Sequence, residues 1–277
     1  MKHAILMTVY KDIDLINKLI SLYPKCFLIF IHIDKKSNIS INDIVKHENV
    51  YVYKKYKVNW GGNNHSLSML LLLREALKYN CDYYHFVTGQ DLPLNPFSFD
   101  EKIKRGYSYI EYFKIPKQEW EDGGLWRYQY YCLFDVLDAK HPKHYRWIKR
   151  ILHFQMKMHL KRPFRNYCQL YCGSGYCSLF IEDAIIIDRE AKKWNGFFRH
   201  TFCSEECIFQ TILLNNDRKN NLINDNLRYI DWNDPNPPKI LTFRDEGLID
   251  YSKYLFCRKV SLPESSGLIN TVVEKVH

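Results

Sequence analysis

The sequence predicts an α/β fold built on a mostly parallel sheet, and three observations lead there. In the first third of the 277 residues, short β-rich apolar runs alternate with amphipathic stretches of helical period, the pattern of parallel strands joined by crossover helices. Polar loops follow these strands, at the carboxyl edge where open α/β sheets bind ligands. With 46% hydrophobic and 16% aromatic residues, the chain has apolar material for one large domain or two closely packed lobes.

The elements follow in order. His3–Val9 reads as a buried strand, Asp12–Leu22 as an amphipathic helix, and Cys26–Ile33 and Val50–Tyr53 as the next strands. His65–Lys78 carries a helical pattern and Tyr83–Val87 returns to strand. The loops His32-Ile-Asp34-Lys-Lys-Ser37 and Thr88-Gly-Gln-Asp91-Leu-Pro93 therefore sit where a ligand site is expected. The middle, from Tyr107 to about Tyr171, is aromatic and basic. Within it, Tyr145–Arg162 reads as a cationic amphipathic helix, either packed with a solvated basic face or docked on a membrane surface. Tyr176–Phe180 reads as a strand and Ile181–Trp194 as a helix. Ser204 is an N-cap for a further helix running to Leu214, which places Glu206 in its first turn. Arg228–Trp232 reads as a strand, Asn233–Pro238 as a turn-rich linker, and the rest as short extended pieces.

Composition narrows the function class. Forty Lys plus Arg against thirty-one Asp plus Glu give a formal net charge of +9, which suits an anionic partner: nucleic acid, an acidic membrane face or a phosphorylated substrate. A nucleic-acid-binding protein is the distant reading, because the basic residues are scattered and no RNP-like, zinc-finger or basic-zipper pattern accompanies the aromatic ones. The nine cysteines include no Cys-x-x-Cys pair, which argues against zinc and for reduced thiols in a cytosolic protein. No run of about eighteen or more apolar residues occurs, and Met1–Asp14 reads as a strand and helix start instead of a signal segment, so a soluble or peripheral protein is expected.

Several segments carry a more specific signal. They are Ile31-His-Ile-Asp-Lys-Lys-Ser37, Trp60-Gly-Gly62 with Ser66, Thr88-Gly-Gln-Asp-Leu-Pro-Leu94, Gly173-Ser-Gly-Tyr176, Ser204-Glu-Glu-Cys-Ile-Phe-Gln-Thr211, Arg228-Tyr-Ile-Asp-Trp232 and Leu255-Phe-Cys-Arg-Lys259. As an ordered set running from residue 31 to 259, they resemble the core-2/I-branching N-acetylglucosaminyltransferase family, which also contains the peptide O-xylosyltransferases. The resemblance implies a GT-A type, Rossmann-like α/β fold with a mostly parallel central sheet flanked by helices. It also implies inverting transfer from a UDP-sugar, GlcNAc or xylose, with no divalent metal and no cofactor. The expected acceptor is a saccharide or lipid-linked saccharide. Residues 1–277 are read as one glycosyltransferase domain, with a nucleotide-binding half at 1–105 and an acceptor-side and catalytic half at 106–277. Starting directly at its first strand, the chain looks like a bacterial-type relative at the cytoplasmic membrane face, in cell-surface polysaccharide or lipopolysaccharide assembly.

The resemblance also assigns roles. Inverting transfer needs a carboxylate to take the proton of the attacking hydroxyl, and Glu206 matches the family's base, with Glu205 as its immediate rival. In isolation, Glu206 would be a surface carboxylate complementing a helix dipole. A cation must neutralise the leaving diphosphate. Lys259 matches the family's lysine, Arg258 lies beside it, and Lys239 and Arg244 are the upstream choices for a second cation. Asp34 matches an acceptor of donor hydrogen bonds from the nucleotide. Trp60, Gly61 and Gly62 form a loop able to take positive φ and approach the donor closely, and Asp91 lines the sugar pocket or fixes a turn. Glu111, Arg127, Trp126 and Trp232 fall on the acceptor side. Asp12-Ile-Asp14 is read as structural, not as a metal-binding Asp-x-Asp. The rivals are a metal-dependent GT-A glycosyltransferase or nucleotidyltransferase, and an inert relative that only binds saccharide.

Overall fold

The structure, a computed structural model, describes residues 1–163, 168–232 and 238–276. The strands are β1 (His3–Val9), β2 (Leu28–Ile33), β3 (Val50–Tyr53), β4 (Tyr83–Thr88), β5 (Asp91–Pro93), β6 (Ser108–Ile110), β7 (Phe113–Lys114), β8 (Tyr171–Cys172), β9 (Cys177–Phe180), β10 (Leu222–Ile223), β11 (Arg228–Ile230) and β12 (Phe256–Arg258). The helices are α1 (Ile13–Ser21), α2 (Asn64–Leu77), α3 (Phe99–Lys102), α4 (Trp126–Gln129), α5 (Pro142–Lys157), α6 (Ile181–Phe198), α7 (Ile208–Leu214) and α8 (Ser266–Val276).

A seven-stranded sheet in the order β10-β6-β9-β4-β1-β2-β3 forms the centre. β1 pairs in parallel with β2 and β4, and β2 with β3, while β9 runs antiparallel between β4 and β6. Both faces are covered, which explains why β1 is a continuous apolar run and not an alternating one. Ala4 and Leu6 enter a core with α2, α6 and α7, whereas Ile5, Met7 and Val9 enter a second core with α1 and α3. Each fully buried Leu or Ile contributes about 1.5–3 kcal/mol relative to exposure. The strand order reverses between β1 and β4, the point at which open α/β sheets leave a crevice beyond their strand ends.

A smaller sheet, β11-β12-β5, is locked onto the large one by Arg228. Its buried guanidinium donates to the carbonyls of Phe86 (3.2 Å) and Cys177 (2.9 Å) and to Ser178 Oγ (3.0 Å). Arg228 therefore serves the interior, and the strand it opens stops at Ile230, short of Trp232.

Other boundaries shift for local reasons. α5 begins at Pro142, whose fixed φ suits a first helical position, and ends at Lys157 because His159 takes φ 52°. Arg162 then turns back, its guanidinium reaching the carbonyls of Tyr128, Phe197 and Arg199. α6 runs on to Phe198, which is fully buried, instead of stopping at Trp194. The expected linker Asn233–Pro238 lies, apart from Pro238, outside the described residues. All nine cysteines are free thiols. Among the described residues no helix is long and apolar enough to cross a membrane.

Candidate active site

At the crevice between β1 and β4 lies a pocket lined by Thr8, His65, Tyr176, Gly175, Glu205 and Glu206 among others. Sequence-distant segments converge to build it. Ser204 Oγ lies 2.6 Å from Ser66 Oγ on α2 and donates to Asn63 Oδ1 at 2.9 Å. The Gly173 amide donates to the Glu206 carbonyl at 2.8 Å, and Gln210 Nε2 donates to the Ser174 carbonyl at 2.7 Å. Gly173 has to be glycine here, since a Cβ would overlap the Glu111 carbonyl.

Ser204 is consequently not a helix cap, because its hydroxyl is used across the core. Ser204–Glu206 form a single 3₁₀ turn entered through Cys203 at φ 51°, and α7 starts only at Ile208. Glu206 precedes the helix instead of occupying its first turn.

The two glutamates diverge. Glu205 Oε1 lies 3.3 Å from His65 Nδ1, and the opposite ring nitrogen lies 3.4 Å from Thr8 Oγ1. Glu206 Oε2 accepts from Arg127 Nη1 at 3.1 Å, and the Arg127 guanidinium carbon is stacked 4.2 Å from the Trp120 ring centroid. Both line the pocket, Glu206 with 39% of its side chain accessible and Glu205 with 12%. Burial by the surrounding walls, then repulsion from Glu205, push the Glu206 carboxyl up to about 7 against the opposing pull of Arg127. Desolvation thus outweighs any stabilisation of the ionised form.

Cations gather on the adjacent wall. Arg258 stacks on Tyr176, its guanidinium carbon 3.9 Å from the ring centroid, and its Nη1 lies 3.3 Å from Asp91 Oδ1. Next to it, across a cis peptide bond, Lys259 is half-buried. Burial lowers the Lys259 pKa, and repulsion from Lys11, Arg258 and Lys140 lowers it further, with Asp12 opposing. A cluster of like charge around a half-buried ammonium is the electrostatic shape of an anion site.

The remaining expected residues have these places. Asp34 is buried, and its Oδ1 accepts from the amides of Lys36 and Val58, both at 3.0 Å, fixing the loop. Asp91 is buried, taking the Thr88 amide and hydroxyl as well as Arg258, so it positions that arginine and does not face open space. Gly61 does take positive φ, 75°, but the group it approaches is the Phe202 ring, which a Cβ would meet at 2.5 Å. Gly62 likewise packs on Asp135. Trp60 and Trp232 are more than half exposed. Trp126 stacks on Phe202 at 5.5 Å. Glu111 is at the surface and accepts from Asn226 at 3.2 Å.

Lys239 is taken up by Asp245 at 2.5 Å and Asp231 at 3.7 Å, which answers its charge within the protein. Arg244 is exposed on the turn Phe243–Leu248. Arg127, placed on the acceptor side by sequence, pairs with Glu206 itself. Asp12 adopts φ 60° at the cap position of α1 and Asp14 lies in its first turn. Among the described residues no group of three or more His, Cys, Asp or Glu side chains is arranged to hold a metal. Sequence reasoning missed His65, Thr8, Trp120, Lys11 and Lys140. His65 alone carried a signal, standing between Trp60-Gly-Gly62 and Ser66 at the start of a helix.

A mostly parallel α/β sheet with carboxylates at its switch point, flanked by helices on both faces, defines a GT-A-like architecture. A family model described as Core-2/I-Branching enzyme matches residues 4–253. The chain belongs to the Core-2/I-branching enzyme family, and is therefore a glycosyltransferase that takes a sugar donor and an acceptor. No curated protein matches it at a significant level.

Proposed function

We propose that the protein transfers a sugar, GlcNAc or xylose, from a UDP-sugar to a saccharide or lipid-linked saccharide hydroxyl with inversion and without a divalent metal. The observation that carries this reading is Glu206, a pocket-lining carboxylate that accepts from Arg127 at 3.1 Å and whose pKa burial pushes up to about 7. A base poised near neutral pH is ionised enough to accept a proton and basic enough to want it.

In the reaction, the acceptor oxygen attacks the anomeric carbon as its proton passes to Glu206. The bond from that carbon to the diphosphate breaks on the opposite face, its electron pair leaving with UDP. Inversion follows from the opposed faces. Lys259, with Lys11 and Lys140 nearby and Arg258 held beside it by Asp91, takes the charge that develops on the diphosphate. We assign this task to Lys259 rather than Lys239, whose charge is already answered by Asp245. The work would fall in cell-surface polysaccharide or lipopolysaccharide assembly at the cytoplasmic face of the membrane.

Thermal unfolding with a panel of nucleotide diphosphates and UDP-sugars in EDTA tests the donor side. Ligand at about 100 times Kd adds about 2.7 kcal/mol of stability, a rise of a few degrees. Stabilisation by UDP or one UDP-sugar in EDTA is expected. A shift that appears only with added manganese would instead select metal-dependent transfer.

A further inference from the structure

We propose that α5 is a docking surface for an anionic lipid bilayer. Its inner face is held by Ile148, which packs with Cys132, Phe134, Phe202 and Cys203, and by Gln155, whose side chain exchanges hydrogen bonds of 3.0 Å with both backbone groups of Tyr131. The outer face is apolar and uncovered. Trp147 is 56% exposed, Phe154 56% and Met158, which caps the helix, 54%. Spaced seven and four residues apart, these side chains form a single stripe at the helical period.

The charge beside that stripe selects the occupant. α5 contains Lys143, Arg146, Lys149, Arg150 and Lys157 and no acidic residue. None of these five pairs with a carboxylate among the described residues. Arg150 and Lys149 instead lie over the rings of Trp147 and Tyr145, at 5.6 and 4.7 Å. An exposed aromatic stripe bordered by unanswered cations is the composition of a helix lying in a bilayer interface, where rings enter the headgroup boundary and Lys and Arg meet anionic lipid. A second copy presenting this same face would bring like charges together, which disfavours self-association. The proposal goes beyond the transferase reading. It is measured without turnover, so either can fail alone.

The consequence is positional. The cluster beneath Ile148 includes Cys203, the residue that opens the Ser204–Glu206 turn, so a docked α5 holds one wall of the pocket against the membrane surface. A lipid-linked acceptor would meet the site there.

Sedimentation with vesicles of phosphatidylcholine, with or without about one third phosphatidylglycerol, tests the proposal on the full chain. Binding to the anionic vesicles only, falling about tenfold or more as salt is raised, is expected. Lys143→Glu/Arg146→Glu/Arg150→Glu should abolish it, and Trp147→Ala/Phe154→Ala/Met158→Ala should abolish it at low salt as well. Unchanged circular dichroism and Tm in both variants would place the loss at the surface. Wild-type protein that stays in the supernatant with anionic vesicles overturns the proposal, as does charge-reversed protein that still pellets. A dimer in sedimentation velocity that the Trp147/Phe154/Met158 variant splits, without vesicle binding, would assign the face to a second copy and also overturn it.

Discussion

Glu205 Oε1 lies 3.3 Å from His65 Nδ1, while the other Glu205 oxygen is buried without a hydrogen-bond partner. Adjacent in sequence, Glu206 points instead to Arg127. Glu205 therefore lies where its repulsion adds to burial in raising the Glu206 carboxyl, and in the proposed mechanism Glu206 is the one of the two that takes the proton.

The pH dependence of kcat/KM should therefore show a rising limb with an apparent pKa near 7, set by Glu206. Glu205→Gln removes a repulsive charge and should move the limb to lower pH, and Arg127→Met removes the stabilising cation and should move it higher. Profiles of the three proteins check this. A limb that stays fixed in both variants would disconnect it from Glu206.

Stability should carry the opposite sign. The Glu206 carboxyl is raised from 4.5 to about 7 in the folded protein, so folding favours the protonated form. The associated stability is complete below the unfolded value and is lost as pH rises through about 7. Glu206→Gln, neutral at all pH, should match the wild type in Tm at low pH and exceed it above neutrality. Parallel Tm curves across that range would contradict the raised pKa.

At the cation cluster, Lys259→Ala should weaken UDP binding about tenfold or more, the scale of one charge-assisted hydrogen bond. Lys239→Ala should change the affinity by no more than about twofold, because Asp245 and Asp231 already hold that ammonium. Titration calorimetry with UDP distinguishes them, and equal losses would return Lys239 to the diphosphate.

Gly61→Ala should destabilise the fold by about 1–3 kcal/mol through its positive φ and the collision with Phe202. Urea unfolding measures it, and an unchanged midpoint would mean that the Phe202 ring yields freely.

Much of the architecture was legible because local pattern and burial agree. β1 and β3 have the bounds their apolar runs predict, and the motif segments do meet in space, Ser66 with Ser204 and Gly173 with Glu206. What was not legible is which distant partner each side chain takes. Ser204 looked like a cap because Ser before a helix usually is one, yet Ser66 and Asn63 claim its hydroxyl. Arg127 and Glu206 are 79 residues apart, and the Lys11, Lys140 and Lys259 cluster joins three regions that share no local pattern. For Lys239 the sequence did not show its partner: its ammonium meets Asp245, whose carboxylate also completes a capping box with Thr242.

The most direct measurement is the transfer rate of Glu206→Gln with donor saturating, alongside its affinity for the donor nucleotide. Removal of the base should lower kcat by about 10²–10⁴-fold, with donor affinity retained. Turnover within a few-fold of wild type would exclude Glu206 as the base and shift that role to another group of the pocket.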